Sequence, residues 1–172
     1  DPTITGSFGN ILTYKNLKLN VFVTYSFGNV IRLDPVFSNA YSDLDAMPKE
    51  FKNRWMKAGD ENVTNIPTIV STRMNQQYAY LNMAYNAYNY SDVRIADGGF
   101  IRLKEISLSY DLPAKVINFF RLNKLQLKLQ ATNLCLLYAD SKLNGQDPEF
   151  FRSGGVSTPV PKQFTFTVRL GL

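Results

Sequence analysis

The side chains in this 172-residue sequence that are best suited to contact a ligand are aromatic. One tryptophan and a dense run of tyrosines fall within a single long stretch of the chain. Flat amphipathic rings suit stacking against a sugar or a peptide at low entropic cost, although the same rings could simply pack that stretch together. The candidates for ligand contact are Trp55, Tyr78, Tyr80, Tyr85, Tyr88 and Tyr90.

Residues for catalysis or metal binding are scarce. The sequence contains no histidine and one cysteine, Cys135, which excludes histidine acid–base catalysis, histidine metal ligands and an internal disulfide. Asp147 and Glu149 could approach a calcium ion, but two carboxylates are too few for a calcium site. We therefore expect no catalytic residue, no metal and no cofactor, and we do not expect an enzyme.

The charge is positive without forming a patch. Lys and Arg total 19 against 14 Asp and Glu, a net charge of +5, yet the basic residues are scattered singly, which indicates a solvated surface rather than a nucleic-acid site. No stretch approaches the roughly 18–20 consecutive apolar residues of a membrane helix. A helical membrane protein is therefore excluded.

Period-two alternation of apolar and polar residues predicts five strands. In the clearest case, apolar side chains occupy every second position from Leu17 to Phe27. A helix with this pattern would have no apolar face. The predicted strands cover about 3–14, 17–31, 99–111, 124–138 and 162–172.

Two local features refine the predicted sheet. Only Lys15 and Asn16 separate the first two strands, which is hairpin spacing and makes these strands antiparallel neighbours. In the third strand, Ile101 lies on the opposite parity from Ile106. A β-bulge near Lys104 is needed to keep all the apolar residues on one face.

The connections alternate between short and long. They cover 15–16, about 33–98, 111–123 and 139–161, an alternation typical of an up-and-down membrane barrel with tight turns on one side and long loops on the other. We expect a helical turn after Pro113 that reaches Phe120, and a short helix from Pro48 to Lys57. The long connection should either fold on itself or pack against a larger partner surface.

Five long strands with one apolar face need a partner layer or lipid. The sequence supplies no convincing second sheet or helix layer, and a membrane barrel needs at least about eight strands to close. The fold prediction is therefore all-β, as the C-terminal part of a larger transmembrane barrel. Its short turns would be periplasmic and its long loops extracellular.

Several short motifs are spread over nearly the whole chain. They are DPTITGSFGN, YKNLKL and YSFGN within 1–29; NRW at 53–55 with GD at 59–60 and IP at 66–67; DGGFIRLKEISLSY at 97–110; and TNL at 132–134, GQDPE at 145–149, PVP at 159–161 and the final strand. In this combination and order, they resemble the SusC/RagA family of TonB-dependent outer-membrane transporters.

This resemblance implies a fold and a function. Members have a 22-stranded β-barrel, of which these would be the last five antiparallel strands, with the plug and earlier strands absent from this chain. They import oligosaccharides or peptides across the outer membrane of Gram-negative, Bacteroidetes-like bacteria. TonB supplies the energy through the N-terminal part, and a SusD-like lipoprotein covers the extracellular mouth.

The resemblance also assigns roles to individual residues. Phe164, Phe166, Val168, Leu170 and Leu172 resemble the C-terminal signal read by the barrel assembly machinery, and the same residues would form a lipid-facing strand. The family usually ends in an aromatic residue rather than leucine. The long connection with its tyrosines could dock the lipoprotein lid.

Two further sets follow from strand parity. Lys18, Gln126, Lys128 and Arg169 lie on the polar parity of their strands and should face a wet lumen. Cys135 should be a small apolar wall residue. A soluble β-rich carbohydrate-binding module is the alternative function.

Overall fold

The computed structural model describes residues 1–36, 47–119, 122–151 and 161–171. They form two compact units. The first, which we call the sheet unit, contains the described residues of 1–30, 97–140 and 146–172. The second, the loop unit, contains those of 31–96 and 141–145.

Five long strands of the sheet unit form one antiparallel sheet, as the alternation predicts. Their order is β1-β2-β5-β6-β7, and a separate two-stranded sheet pairs β3 with β4. The prediction of antiparallel strands that neighbour each other in chain order is confirmed. The strands are β1 (Ile4–Tyr14), β2 (Leu17–Phe27), β3 (Val30–Arg32), β4 (Ile95–Asp97), β5 (Phe100–Asp111), β6 (Lys124–Ala139) and β7 (Gln163–Gly171).

The hairpin between β1 and β2 is as tight as predicted. Tyr14 pairs with Leu17, and Lys15 has a positive φ of 52°. The side-chain amide of Asn16 donates to the backbone carbonyl of Asp111 at 2.8 Å. This bond ties the turn to the end of β5.

The predicted bulge at Lys104 is confirmed. Phe22 pairs with Glu105 while Val23 pairs with Leu103, so Lys104 has no partner position on β2. The extra residue restores the parity of the strand. Ile101 and Leu103 therefore lie on the same face as Ile106.

The register gives the sheet one apolar and one polar face. The apolar side chains of neighbouring strands lie opposite one another in rows, such as Leu19–Leu108–Leu129–Phe166. Many of them are more than one-third exposed, because nothing in the sheet unit covers this face. The exposed ones are Ile4, Phe8, Leu12, Tyr14, Leu17, Leu108, Tyr110, Leu129, Tyr138, Phe164, Phe166, Val168 and Leu170.

The second strand is shorter than the predicted 17–31. It ends at Phe27 because Gly28 has a φ of 85°, a left-handed conformation that glycine adopts without steric cost and that breaks the extended chain. The residues after it, Val30–Arg32, belong to the separate strand β3. The other strand limits differ from the prediction by one residue, and Leu172 lies outside the described residues.

The predicted helix from Pro48 to Lys57 is wrong over its second half. A 3-10 helix covers only Lys49–Asn53. The chain then turns extended at Arg54, with ψ 154°, and the amide of Trp55 donates to the carbonyl of Ile66 at 2.9 Å. The next two amides donate to the Asp60 carboxylate at 3.0 Å each, so they are unavailable for a helix.

The rest of the loop unit contains two α-helices, α1 (Thr72–Gln77) and α2 (Tyr80–Asn89), with 3-10 helices at Asp60–Asn62 and Asp92–Arg94. The hydroxyl of Ser71 caps α1 by accepting from the amide of Met74 at 3.3 Å. Val36 and Ile66 form a buried core. The long connection therefore folds on itself, one of the two outcomes expected for it.

The link between β5 and β6 contains the expected helical turn, α3 (Ala114–Phe119). It begins directly after Pro113. The remaining residue of the predicted turn, Phe120, lies outside the described residues.

None of the helices in the described part of the chain is long and apolar enough to cross a membrane.

Candidate functional site

The six aromatic candidates are divided between the core and the surface of the loop unit. Tyr85 and Tyr88 pack against the buried pair Val36 and Ile66. Tyr80 and Tyr90 are 63% and 65% exposed. The sequence treated these rings as one set, and the structure does not bring them together.

Tyr85 holds two segments of the loop unit in place. Its hydroxyl donates to the carbonyl of Thr68 at 2.8 Å and accepts from the amide of Val70 at 3.2 Å. Both backbone groups belong to the segment that precedes α1. These hydrogen bonds within the loop unit account for the position of the Tyr85 ring, so its position does not require a ligand.

Tyr88 lies beside a buried ion pair. The guanidinium carbon of Arg94 is 5.9 Å from the centre of the Tyr88 ring. Nη1 and Nη2 of Arg94 donate to the two carboxylate oxygens of Glu50 at 2.8 and 2.7 Å, and Nη2 also donates to the carbonyl of Asp34 at 2.6 Å. Arg94 therefore joins its own segment of the loop unit to the segments that contain Glu50 and Asp34.

The electrostatics of this group follow from burial and pairing. Burial raises the pKa of Tyr88 above its ordinary value, although the positive charge of Arg94 opposes the shift. Burial alone would lower the pKa of Arg94, but its hydrogen bond to Glu50 and the negative charge of Glu50 outweigh this, and the pKa is raised. Arg94 is therefore charged at every physiological pH.

Helix α2 presents a second apolar face to solvent. Tyr80, Met83, Ala87 and Tyr90 repeat at helical spacing and are all exposed. We call these four residues the outer stripe. Near its two ends, the Tyr78 ring lies 5.8 Å from the Tyr80 ring, and Arg32 lies 5.6 Å from the Tyr90 ring. The sequence analysis missed Met83 and Ala87, which the 3.6-residue period could have revealed.

Trp55 is partly exposed, at 38%. Its indole N–H donates to the carbonyl of Lys57. The polar atom of the ring is thus already bonded within the chain. The availability of the ring for stacking stays a prediction.

The loop unit also contains a cavity of about 580 Å³ that the sequence did not indicate. Carboxamides supply much of its polar lining, and its charged groups balance. The lining includes Asn53, Asn62, Asn65, Asn144, Glu50, Glu61, Arg94 and Lys142. No local motif could predict it, because its walls come from distant segments of the chain, from Leu33 to Asn144.

The polar face of the sheet brings the predicted lumen residues into adjacent rows. Gln126 pairs with Arg169, and Lys128 lies between Ser109 and Thr167. The Gln126 amide donates to the Asp111 carboxylate at 2.8 Å, and Lys128 is 4.0 Å from Glu105. Cys135 pairs with Leu103 on the apolar face, where a wall residue was expected.

Asp147 and Glu149 contact a cation already present in the chain. Nη2 of Arg102 lies 2.5 Å and 2.7 Å from the two oxygens of Asp147 and 3.1 Å from Glu149. These contacts occupy the carboxylates that the sequence considered for calcium. In the described ranges, no group of three or more potential metal ligands is present.

The residues of the proposed assembly signal lie on the apolar face of β7. Phe164, Phe166, Val168 and Leu170 pair with Ala131, Leu129, Leu127 and Leu125. All four are exposed. The fifth, Leu172, falls outside the described residues.

Comparison with known proteins finds relatives among TonB-dependent receptors. The chain is 27% identical over 86% of its length to TonB-dependent receptor P3 of Formosa agariphila, and 26% identical over 99% to TonB-dependent receptor P26 of the same organism. The chain is therefore similar to SusC/RagA-like TonB-dependent transporters. It spans 13% and 17% of the lengths of these two relatives. No protein-family model matches it.

Solved structures show the same fold. The chain superposes on the RagAB peptide importer in its open-open state with a TM-score of 0.66, covering all of this chain and 17% of that one at 22% identity. A second RagAB peptide transporter structure gives 0.66 over 98% of this chain and 17% of that one at 23% identity. The described part of the chain thus has the same fold as the matching part of these structures.

Proposed function

We propose that this SusC/RagA-like chain forms part of an outer-membrane importer of oligosaccharides or peptides. The observation that carries the proposal is the two-faced sheet. Apolar rows cross all five strands on one side and remain exposed, while the other side carries mostly polar side chains, among them charged and hydroxyl groups. A sheet with an apolar outer face and a polar inner face suits a barrel wall between lipid and water.

The finer parts of the proposal rest on family resemblance. The five strands are the last of a 22-stranded barrel, whose plug and earlier strands lie outside this chain. The long connections are extracellular and the short turns periplasmic. TonB energises import through the missing N-terminal part, and the chain has no enzymatic role. The uncovered apolar face disfavours a soluble carbohydrate-binding module, since exposed apolar patches of this extent promote association.

The test is recovery of the native assembly. Outer membranes are extracted in mild detergent, and the complex that contains this chain is weighed intact by mass spectrometry. We expect a large barrel polypeptide that includes this sequence, together with a lipoprotein and a bound oligosaccharide or peptide. A folded, monodisperse 19.5 kDa species in plain buffer would overturn the proposal.

The outer stripe of α2 is our candidate surface for the SusD-like lipoprotein. Tyrosine and methionine are enriched in protein interfaces, and the stripe carries no charge. Replacing Met83 by Asp and Tyr80 by Ala should weaken lipoprotein retention at least tenfold, because it puts a charge into an apolar interface. The measurement is the lipoprotein-to-barrel ratio after detergent extraction.

Asn82→Asp serves as the matched control. Asn82 is exposed on the same helix but lies away from the stripe, so its change adds the same charge without entering the interface. Equal retention in all variants would contradict the docking role. Retained lipoprotein with weakened ligand affinity would instead assign the stripe to ligand contact.

A further inference from the structure

Arg102 is a buried cation on the polar face of the sheet. Its side chain is only 6% exposed, and it lies opposite Thr24 on β2. A charge withdrawn from water to this extent requires an anionic partner. The site is therefore built to hold an anion.

In this structure the carboxylate of Asp147 contacts only one nitrogen of the Arg102 guanidinium. Both Asp147 oxygens approach Nη2, at 2.5 and 2.7 Å, and Glu149 approaches the same atom at 3.1 Å. A well-fitted carboxylate bridges two nitrogens of the fork. Arg94 shows that geometry, with one Glu50 oxygen on each of Nη1 and Nη2.

The contacts at Arg102 leave a donor unused. Its Nε is buried and has no hydrogen-bond acceptor among the described residues, which is also true of the Nε of Arg94, so the two sites differ in how the carboxylate meets the Nη atoms. Buried donors are rarely left without an acceptor, and two carboxylates crowded on one nitrogen repel each other. A carboxylate that engaged the Nε edge would satisfy Arg102 better than Asp147 does.

The neighbouring space can hold the remainder of a ligand. A cavity of about 440 Å³ opens beside the site, lined by Lys104, Glu149, Phe100, Thr24 and Asn29 among others. The Oδ1 atom of Asn29 is buried without a donor from the described part of the chain. The cavity thus offers a second cation, a hydroxyl, an aromatic ring and an unsatisfied acceptor.

We propose that Arg102 is a binding site for the carboxylate of a ligand, and that Asp147 occupies it in this structure as an internal substitute. The ligand carboxylate displaces that of Asp147, and no covalent bond changes. A peptide C terminus and a uronic acid share this chemistry. The inference rests on the proposed function in one respect, because the polar face of the sheet must be in contact with water through which a ligand can reach Arg102.

The test measures binding to the intact transporter in detergent by isothermal titration calorimetry. The probes are N-acetyl-dialanine with a free carboxylate, its C-terminal amide, glucuronate and glucose. Asp147→Asn, which keeps the shape and removes the competing charge, should tighten carboxylate binding at least tenfold. Arg102→Gln should weaken it at least tenfold, and neither change should alter binding of the uncharged probes.

Glu105→Gln is the matched control, because it removes another carboxylate from the same face, one that contacts Asn20 and Lys128. It should leave carboxylate affinity unchanged. Preference of the Asp147→Asn protein for the peptide or for glucuronate identifies the source of the ligand. If Asp147→Asn fails to tighten either acid, the inference is wrong, even where Arg102→Gln does not fold. Binding is measured without TonB, so a failure of energised uptake leaves this result unaffected.

Discussion

Replacing Phe166 and Val168 by arginine is expected to block insertion of the protein into the outer membrane. Both side chains lie on the exposed apolar face, opposite Leu129 and Leu127. An arginine on the lipid face costs about 2–4 kcal/mol near the bilayer midplane. Two such costs are comparable to the whole folding free energy of a typical protein, about 5–15 kcal/mol.

The measurement is the fraction of the protein recovered from outer membranes as a protease-resistant folded barrel. We expect at least a tenfold loss. Thr165→Arg with Thr167→Arg is the matched control, since these positions lie on the polar face of the same strand. Equal recovery of the two double variants would contradict the assignment of the faces.

A second pair of arginine substitutions, in β1, tests whether β7 acts as an assembly signal or only as a lipid-facing strand. Phe8 and Leu12 lie on the same apolar face but in β1, far from the end of the chain. Arginine at both positions should hinder insertion while leaving capture by the assembly machinery intact. If β7 carries the signal, its arginine variant loses capture as well, which crosslinking to that machinery would detect.

Strand parity predicted the sheet and its bulge because each follows from one local requirement. Apolar residues must share a face, so the parity change between Ile101 and Ile106 demanded an extra residue, and the structure places it at Lys104. The end of β2 was not predictable in this way. The alternation ends at Phe27, but parity alone does not show that the strand stops there instead of continuing to Ile31, because the break depends on the left-handed conformation of Gly28. A second irregularity in β6, where Asn133 has φ 54°, was missed for the same reason.

The candidate site was predicted less completely because its contacts join distant parts of the chain. Arg102 and Asp147 are 45 residues apart, and Glu50 and Arg94 are 44 apart. No spacing rule links such pairs. The sequence could have predicted that Tyr85 is in the core and Tyr80 on the surface, because the helical period puts them on different faces of α2. That prediction required α2 to be assigned first.

Glu50→Gln is expected to destabilise the loop unit by about 3–5 kcal/mol, the usual cost of removing one partner from a buried ion pair. The change keeps the side-chain shape but leaves Arg94, whose side chain is 3% exposed, without a counter-charge. Arg94 also holds the carbonyl of Asp34, so several segments should loosen together. Hydrogen exchange of the amides in α2 and β4 should accelerate by about 10²- to 10⁴-fold, if these amides exchange through opening of the whole unit.

Two comparisons make the ion-pair prediction specific. Glu61→Gln removes an exposed carboxylate whose contact is with the nearby amide of Gly59, and it should leave exchange unchanged. Glu50→Gln combined with Arg94→Met should be less damaging than Glu50→Gln alone, because the double change leaves no unpaired buried charge. If the single and double variants exchanged alike, the penalty would come from lost packing rather than from the uncompensated charge of Arg94.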